Sequence, residues 1–324
     1  MSASASLDQK VKQAVLDVLR ELNIEPPTLL PFDQTSTLEP FLLECLEEVR
    51  RRNYISPPVE EKHIRIGATV GHYVWLLPSL VPHKLALLAS LLMGLYYCID
   101  DGCFAPQSLA EHAGRLVSGQ VQLERGLGHA AALLEEVAGM YESVVGDLLR
   151  MAHQAYVMGN YLEGRMAGEG KTSLLTVGQW EVNKNAPAFP SVMKTITSAA
   201  TALYLLSFPP AVPFTSYLQT LPDGIAIHDN TADIMSYYKE SLVGEFNRVE
   251  QIAQLHGLSG PDMLAELVQS TIACHERVVR ALGASDPTRA LRLVECHEQA
   301  VRGFVVFQAL HPRYKLRDFG VFSF

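Results

Sequence analysis

The stretch from His228 to Glu240, His-Asp-Asn-Thr-Ala-Asp-Ile-Met-Ser-Tyr-Tyr-Lys-Glu, carries polar residues at a spacing that could do chemistry. On a helix Asp229, Asp233, Ser236 and Glu240 are separated by four, three and four residues, so all four point from one face. Lys239 lies beside Glu240 and could reach the same ligand. A solvated helix face would show acids at this spacing too, but Ser236 sits within Ile-Met-Ser-Tyr-Tyr, an apolar setting that needs a reason for polar residues. A second pair, Asp100-Asp101, follows the apolar run Leu-Ala-Ser-Leu-Leu-Met-Gly-Leu-Tyr-Tyr-Cys-Ile. Acids near a buried helix are costly unless paired or metal-bound. One account makes Asp101-Gly102 a helix-terminating turn, where both residue types are favoured. The other makes the aspartates oxygen ligands for Mg²⁺, which takes one or two carboxylates and completes its shell with water and phosphate oxygens.

The segment Asp233-Ile-Met-Ser236-Tyr-Tyr-Lys239-Glu240 resembles the second metal motif of class I terpene synthases, in the form closest to the fungal trichodiene synthase family. That family's pattern is Asn-Asp-x-x-Ser-x-x-Lys-Glu, in which Asn, Ser and Glu hold one Mg²⁺ and Lys contacts diphosphate. Carried over by position, Ser236 and Glu240 are the implied metal ligands and Lys239 the phosphate contact. The Asn position is Ala232, whose methyl group cannot coordinate a metal. Asp229, Asp233 or a water could supply the absent oxygen; alternatively the motif is repurposed, or Asn has been engineered to Ala. By the same resemblance Asp100 is the principal ligand of an aspartate-rich first motif and Asp101 a secondary one, although the sequence Asp-Asp-Gly-Cys-Phe lacks the further acids of trichodiene synthase. His311-Pro-Arg313-Tyr314 is similar to the family's Arg-Tyr pair, which donates hydrogen bonds to diphosphate. In Phe189-Pro190-Ser-Val-Met-Lys194, Lys194 stands where the family has an arginine that senses diphosphate; lysine keeps the charge and loses the bidentate geometry. Matched segments run from about Ala68 to Leu316.

Helical periodicity dominates the chain and strand-like alternation with Asn-Gly or Asp-Gly turns is missing, which predicts an all-α fold. Leu85, Leu88, Leu92 and Leu95 recur at helical steps. Further helices are expected over Leu7–Leu22, Leu38–Arg52, Ala130–Met166, Ser191–Ser207, Leu221–Glu250, Pro261–Leu282 and Pro287–Leu310. Proline and glycine clusters punctuate them at Glu25–Pro31, Ser56–Pro58, Gly168–Gly170, Ala186–Pro190 and Phe208–Pro213. With 324 residues, 48% of them hydrophobic, the chain can bury a core, and no composition shift marks a domain boundary. A single helical domain over 1–324 is expected, with the helix and loop of residues 1–30 at its periphery. The formal charge of −9 disfavours nucleic acid and anionic lipid as partners. Five cysteines without a CxxC pair support neither a disulfide framework nor a zinc ribbon, and a reducing, cytoplasmic compartment fits best. The apolar run Leu85–Ile99 is too short to span a membrane. The adjacent pairs Cys274-His275 and Cys296-His297 diverge by about 100° on a helix and are expected at helix surfaces or boundaries. No Gly-rich nucleotide loop, HExxH or GxSxG motif is present.

The resemblance implies a class I helical bundle, Mg²⁺ as cofactor, a homodimer, and ionisation of a prenyl diphosphate, with farnesyl diphosphate cyclised to a sesquiterpene. Two DDxxD motifs, which a chain-elongating prenyltransferase would carry, are missing. A carbocation needs a dry pocket with aromatic faces, for which Tyr73, Trp75, Tyr96, Tyr97 and Phe307 are the candidates; Tyr96 lies one turn before Asp100, and Phe307 precedes Arg313 and corresponds to an aromatic of trichodiene synthase. Two alternatives remain. One is a repurposed cyclase fold that guides a metal-independent, non-ionising rearrangement; the other is a non-catalytic terpene-binding protein.

Overall fold

A computed structural model of the chain describes residues 3–24, 37–77, 79–167, 182–245, 247–285 and 288–317. Among the described residues thirteen α-helices run in the order α1 (Ala3–Glu21), α2 (Leu38–Arg51), α3 (Glu61–Gly71), α4 (His83–Asp100), α5 (Pro106–Val117), α6 (Arg125–Ala138), α7 (Ser143–Ala167), α8 (Phe189–Thr197), α9 (Ala200–Leu205), α10 (Leu221–Leu242), α11 (Arg248–His256), α12 (Gly260–Gly283) and α13 (Ala290–Leu310). No strand occurs among the described residues, so the fold is all-α as expected. The clusters at Glu25–Pro31 and Gly168–Gly170, and Pro287, lie outside the described residues.

The helices pack as two compact units, one of residues 1–35, 182–194 and 215–324, the other of 36–181 and 195–214. In the second unit α3 crosses α4 at close range. A Cβ at Gly67 would overlap the backbone of Ser90 and Gly94, and one at Gly94 would stand 3.0 Å from the His63 carbonyl. Leu85, Leu88, Leu92 and Leu95 are all buried, and α4 is apolar on nearly every side, as a central helix must be. A π-helical turn, His72–Leu76, extends α3 and carries Tyr73 and Trp75. In the first unit α10 is flanked by α1, α11, α12 and α13. The N-terminal helix α1 buries Val11, Val15, Val18 and Leu19 there.

Three expected helices are interrupted. Ala130–Met166 divides into α6 and α7 because the last turn of α6 tightens to short-range hydrogen bonds, Met140 to Val137 and Tyr141 to Ala138. Tyr141 Oη then donates to the Phe208 carbonyl at 3.0 Å. Ser191–Ser207 breaks between α8 and α9, where the Ser198 hydroxyl accepts from the Ala200 amide at 3.2 Å. Leu221–Glu250 stops at Leu242, since Gly244 adopts φ +69°, a left-handed conformation that ends a helix. The chain restarts at α11, capped by the Asn247 side chain accepting from the Glu250 amide at 3.1 Å. The Cys-His pairs also depart from expectation. Cys274, Cys296 and His297 are buried and His275 is half-buried. The physical reason is that α12 and α13 pack together, and the His275 Nδ1 to His297 Nε2 contact of 3.0 Å gives those ring nitrogens a partner away from water.

Candidate active site

Pro222 in the first turn and buried Ile227, Ile234 and Met235 seat α10 in the first unit. This leaves the predicted oxygen donors along one helix face. Asp229 and Asp233 are each 5% exposed and Ser236 is 9% exposed, so the face is not a solvated one. Lys194 of α8 reaches it, with Nζ 2.7 Å from Asp233 Oδ1. The other Asp233 oxygen accepts from Arg248 Nη1 at 2.6 Å, and the same nitrogen donates to Asn230 Oδ1 at 3.1 Å. Burial works against charge on Lys194, yet the carboxylates of Asp233 and Asp229, with Glu240 further off, outweigh it and raise its pKa above the ordinary lysine value. Glu240 Oε2 accepts from Asn247 Nδ2 at 2.8 Å, and Oε1 is 3.6 Å from Lys239 Nζ.

The methyl of Ala232 lies between Thr231 and Asp233 on this helix. Two of the residues considered as substitutes for an absent Asn therefore have different surroundings. Asp233 is held by two cations. Asp229 is a buried carboxylate whose field Lys194 feels. The sequence singled out Lys194 by its register and missed Arg248, Asn247 and Asn230. Arg248 stands beyond a helix break, so no spacing rule connects it to Asp233.

Further along the first unit, a short 3-10 turn, Pro312–Tyr314, packs on α10 and carries Arg313 and Tyr314. His311 ends α13 and its Nδ1 accepts the Arg313 amide at 3.2 Å, which orients that turn. Tyr314 is buried edge-on against Phe307, with ring centroids 5.8 Å apart. Phe307 is fully buried and also meets Phe304 and His311.

In the second unit Asp100 is the last residue of α4 and is exposed, and Asp101 is its C-cap. Gly102 follows at φ +66°, so the helix-terminating turn is real, with both carboxylates at its mouth. Asp101 Oδ2 lies 3.6 Å from His63 Nε2. Of the aromatic candidates here, Tyr73, Trp75 and Tyr96 are buried and Tyr97 is half-buried. The Tyr96 ring stacks on Tyr156 at 4.5 Å and its hydroxyl pairs with His153 Nδ1 at 3.1 Å. The indole N–H of Trp75 meets no acceptor among the described residues.

No family model matches the chain. It is 26% identical over 225 residues to Monoterpene synthase 25 of Postia placenta, covering 68% of this chain and 62% of that protein. It is 24% identical over 253 residues to (E)-beta farnesene synthase of Metarhizium brunneum, covering 75% of this chain and 70% of that one. The match to the first thus spans less than two thirds of that relative's length. Among solved structures, linalool/nerolidol synthase from Streptomyces clavuligerus in complex with 2-fluorogeranyl diphosphate superposes with a TM-score of 0.62 at 16% identity, over 86% of this chain and 96% of that chain.

The chain has the fold of the class I terpene synthases.

Within this terpene synthase fold, α10 and the turn after α13 hold the residues that the second motif and the Arg-Tyr pair had marked. The α4 terminus holds the first aspartates. Among the described residues no helix is long and apolar enough to cross a membrane.

Proposed function

We propose that the chain ionises a prenyl diphosphate, farnesyl diphosphate first among them, and cyclises the allylic cation to a sesquiterpene hydrocarbon or alcohol. The single observation that carries this reading is the buried polar face of α10, where Asp229, Ser236 and Glu240 lie in the same unit as Lys194, Lys239, Arg248, Arg313 and Tyr314. A chain with net charge −9 has little general attraction for a diphosphate, so cations concentrated at one face are what would bind it. The names of the two relatives, one a monoterpene and one a farnesene synthase, support a terpenoid substrate and leave chain length to assay.

Mg²⁺ is the cofactor we assign. Asp229, Ser236 and Glu240 in the first unit, and Asp100 with Asp101 in the second, are hard oxygen donors of the kind Mg²⁺ prefers. We assign Asp233 to charge pairing with Lys194 and Arg248 in place of ligation. When bound, the ion would neutralise charge on the departing diphosphate. Arg313 and Lys239 would bind diphosphate oxygens through charge-assisted hydrogen bonds, with the Tyr314 hydroxyl as a neutral donor. No protein nucleophile is required. Tyr73, Trp75, Tyr96 and Tyr97 of the second unit, and separately Phe307 of the first, are the aromatic residues we assign to stabilising the cation, each such contact worth about 0.5–2 kcal/mol.

A second reading has its own observation. Ala232 removes an oxygen donor while two cations neutralise Asp233, a pattern suited to a fold that no longer relies on a divalent ion. Purified protein incubated with geranyl, farnesyl and geranylgeranyl diphosphates, with Mg²⁺ and with EDTA, separates the two by gas chromatography. Mg²⁺-dependent terpene from farnesyl diphosphate is expected; failure to form product from any of the three would remove the leading proposal. Ala232→Asn is expected to raise turnover at limiting Mg²⁺ by roughly tenfold or more, by analogy with the ~10–100-fold cost of disturbing residues around a metal site. An unchanged Mg²⁺ titration would point to Asp229 or water as the sufficient substitute.

A further inference from the structure

The end of α4 carries a second constellation that the proposed reaction does not use. Helix α4 closes with the Cys103 amide bonded to the Cys98 carbonyl at 3.2 Å and the Gly102 amide to the Ile99 carbonyl at 3.0 Å. With Gly102 at φ +66° this is a Schellman turn, in which the residue after the left-handed glycine folds back on the residue that begins the last turn. Those two positions usually make an apolar contact. Here both are cysteines, and the turn brings their sulfurs together.

The third member comes from α3. The close crossing at Gly67 and Gly94 sets the start of α3 beside the last turn of α4, and His63, fully buried, aims Nε2 at Cys103 Sγ at 3.6 Å. His63 Nε2, Cys98 Sγ and Cys103 Sγ all lie within 4.8 Å of one another. Asp101 Oδ2 is 3.6 Å from the same His63 nitrogen. A tetrahedral zinc ion with Zn–S of about 2.3 Å and Zn–N of about 2.0–2.1 Å separates its nitrogen and sulfur ligands by about 3.6 Å. The His63–Cys103 edge already has that length. Cys98 is buried and Cys103 half-buried, which leaves the cluster open on the Cys103 and Asp101 side.

We propose that His63, Cys98 and Cys103, with water as fourth ligand, form a binding site for Zn²⁺ or a cation of like softness. Two thiolates and an imidazole select such an ion, whereas Mg²⁺ avoids thiolates, so this site is chemically separate from the oxygen-donor motifs. Binding displaces the two thiol protons to solvent. The Glu60 amide donates to His63 Nδ1 at 3.2 Å, so without metal the imidazole proton resides on Nε2. Metal at Nε2 leaves Nδ1 protonated and facing the Glu60 amide, two donors 3.2 Å apart, so binding also turns the ring or the Glu60 peptide aside. The ion would fasten the turn bearing Asp100 and Asp101 to α3. This inference does not depend on the proposed reaction.

The full chain, reduced with a phosphine, stripped of metal and then dialysed against Zn²⁺ in excess Mg²⁺, tests it by elemental analysis. One zinc per chain is expected, with at least about tenfold weaker retention in Cys103→Ser and in His63→Gln. Co²⁺ in place of Zn²⁺ should give thiolate-to-metal charge-transfer and tetrahedral visible bands in the parent chain that Cys103→Ser loses. Because Cys98 is buried, Cys98→Ser could fail to fold, and Cys103→Ser therefore carries the test, with circular dichroism showing it folded. Equal zinc in parent and Cys103→Ser, absence of the cobalt bands, or a Cys98–Cys103 disulfide that survives reduction and excludes metal would each overturn the proposal. All of these readouts are independent of terpene formation.

Discussion

Asp233 belongs to the motif whose second residue it is, yet its two oxygens are taken by Lys194 and Arg248, at 2.7 and 2.6 Å. A carboxylate this buried needs a partner, and removing one partner of a buried pair costs up to about 3–5 kcal/mol. Lys194 has some access to solvent and Arg248 still holds Asp233 without it, so Lys194→Met is expected to cost about 1–3 kcal/mol in urea denaturation, and Lys194→Arg less than half of that. Combining Lys194→Met with Arg248→Met should cost more than the sum of the two, because only the double variant strips Asp233 of both cations. Simple additivity would show that Asp233 is not their common anchor. Lys194 was legible from its register in the motif comparison. Arg248 was not, since it enters from α11 beyond the Gly244 turn, and side chains that meet across a helix break leave no periodic trace.

At the scale of elements, the crossing of α3 and α4 decides where the first aspartates stand. Two glycines make that approach possible, and the overlap a Cβ would create at Gly67 is with backbone, which cannot swing aside. Gly67→Ala is expected to destabilise the protein by about 1–3 kcal/mol or more through overpacking. Gly114→Ala, within α5 and facing open space, should stabilise it by up to about 1 kcal/mol, since alanine is the better helix former. Thermal melts of the two variants shifting in the same direction would refute the distinction. Apolar periodicity announced α4 and the leucines that are buried in it. It could not announce the breaks after Ala138 and Thr197, because a helix pattern continues through a short turn whenever the flanking residues keep the same apolar spacing.

For the molecule as a whole, buried histidines set the acid limit. Burial pushes His72 and His228 down to about 4, burial with nearby Arg313 does the same to His311, and burial with His112 takes His153 to about 3. In the unfolded chain each would protonate near about 6.5. Below that pH the unfolded state binds more protons than the folded one, so stability falls as pH drops from about 6.5 towards 4, and it is retained above 6.5. Each unit of lowering corresponds to about 1.4 kcal/mol per histidine, enough for a few such groups to remove most of a typical stability. The urea midpoint should therefore be flat between pH 7 and 8 and fall steeply between pH 6.5 and 4.5; a flat profile throughout would contradict neutral burial of these rings. By itself the sequence determined the all-α class and the polar face of α10, because these rest on periodicity and local spacing. Only the tertiary structure decided that Asp233 is neutralised by two cations, that His297 is a core residue, and that His63 meets two cysteines at the end of α4. Each of those depends on which helices touch, and that is set by the fit of distant surfaces rather than by any repeat along the chain.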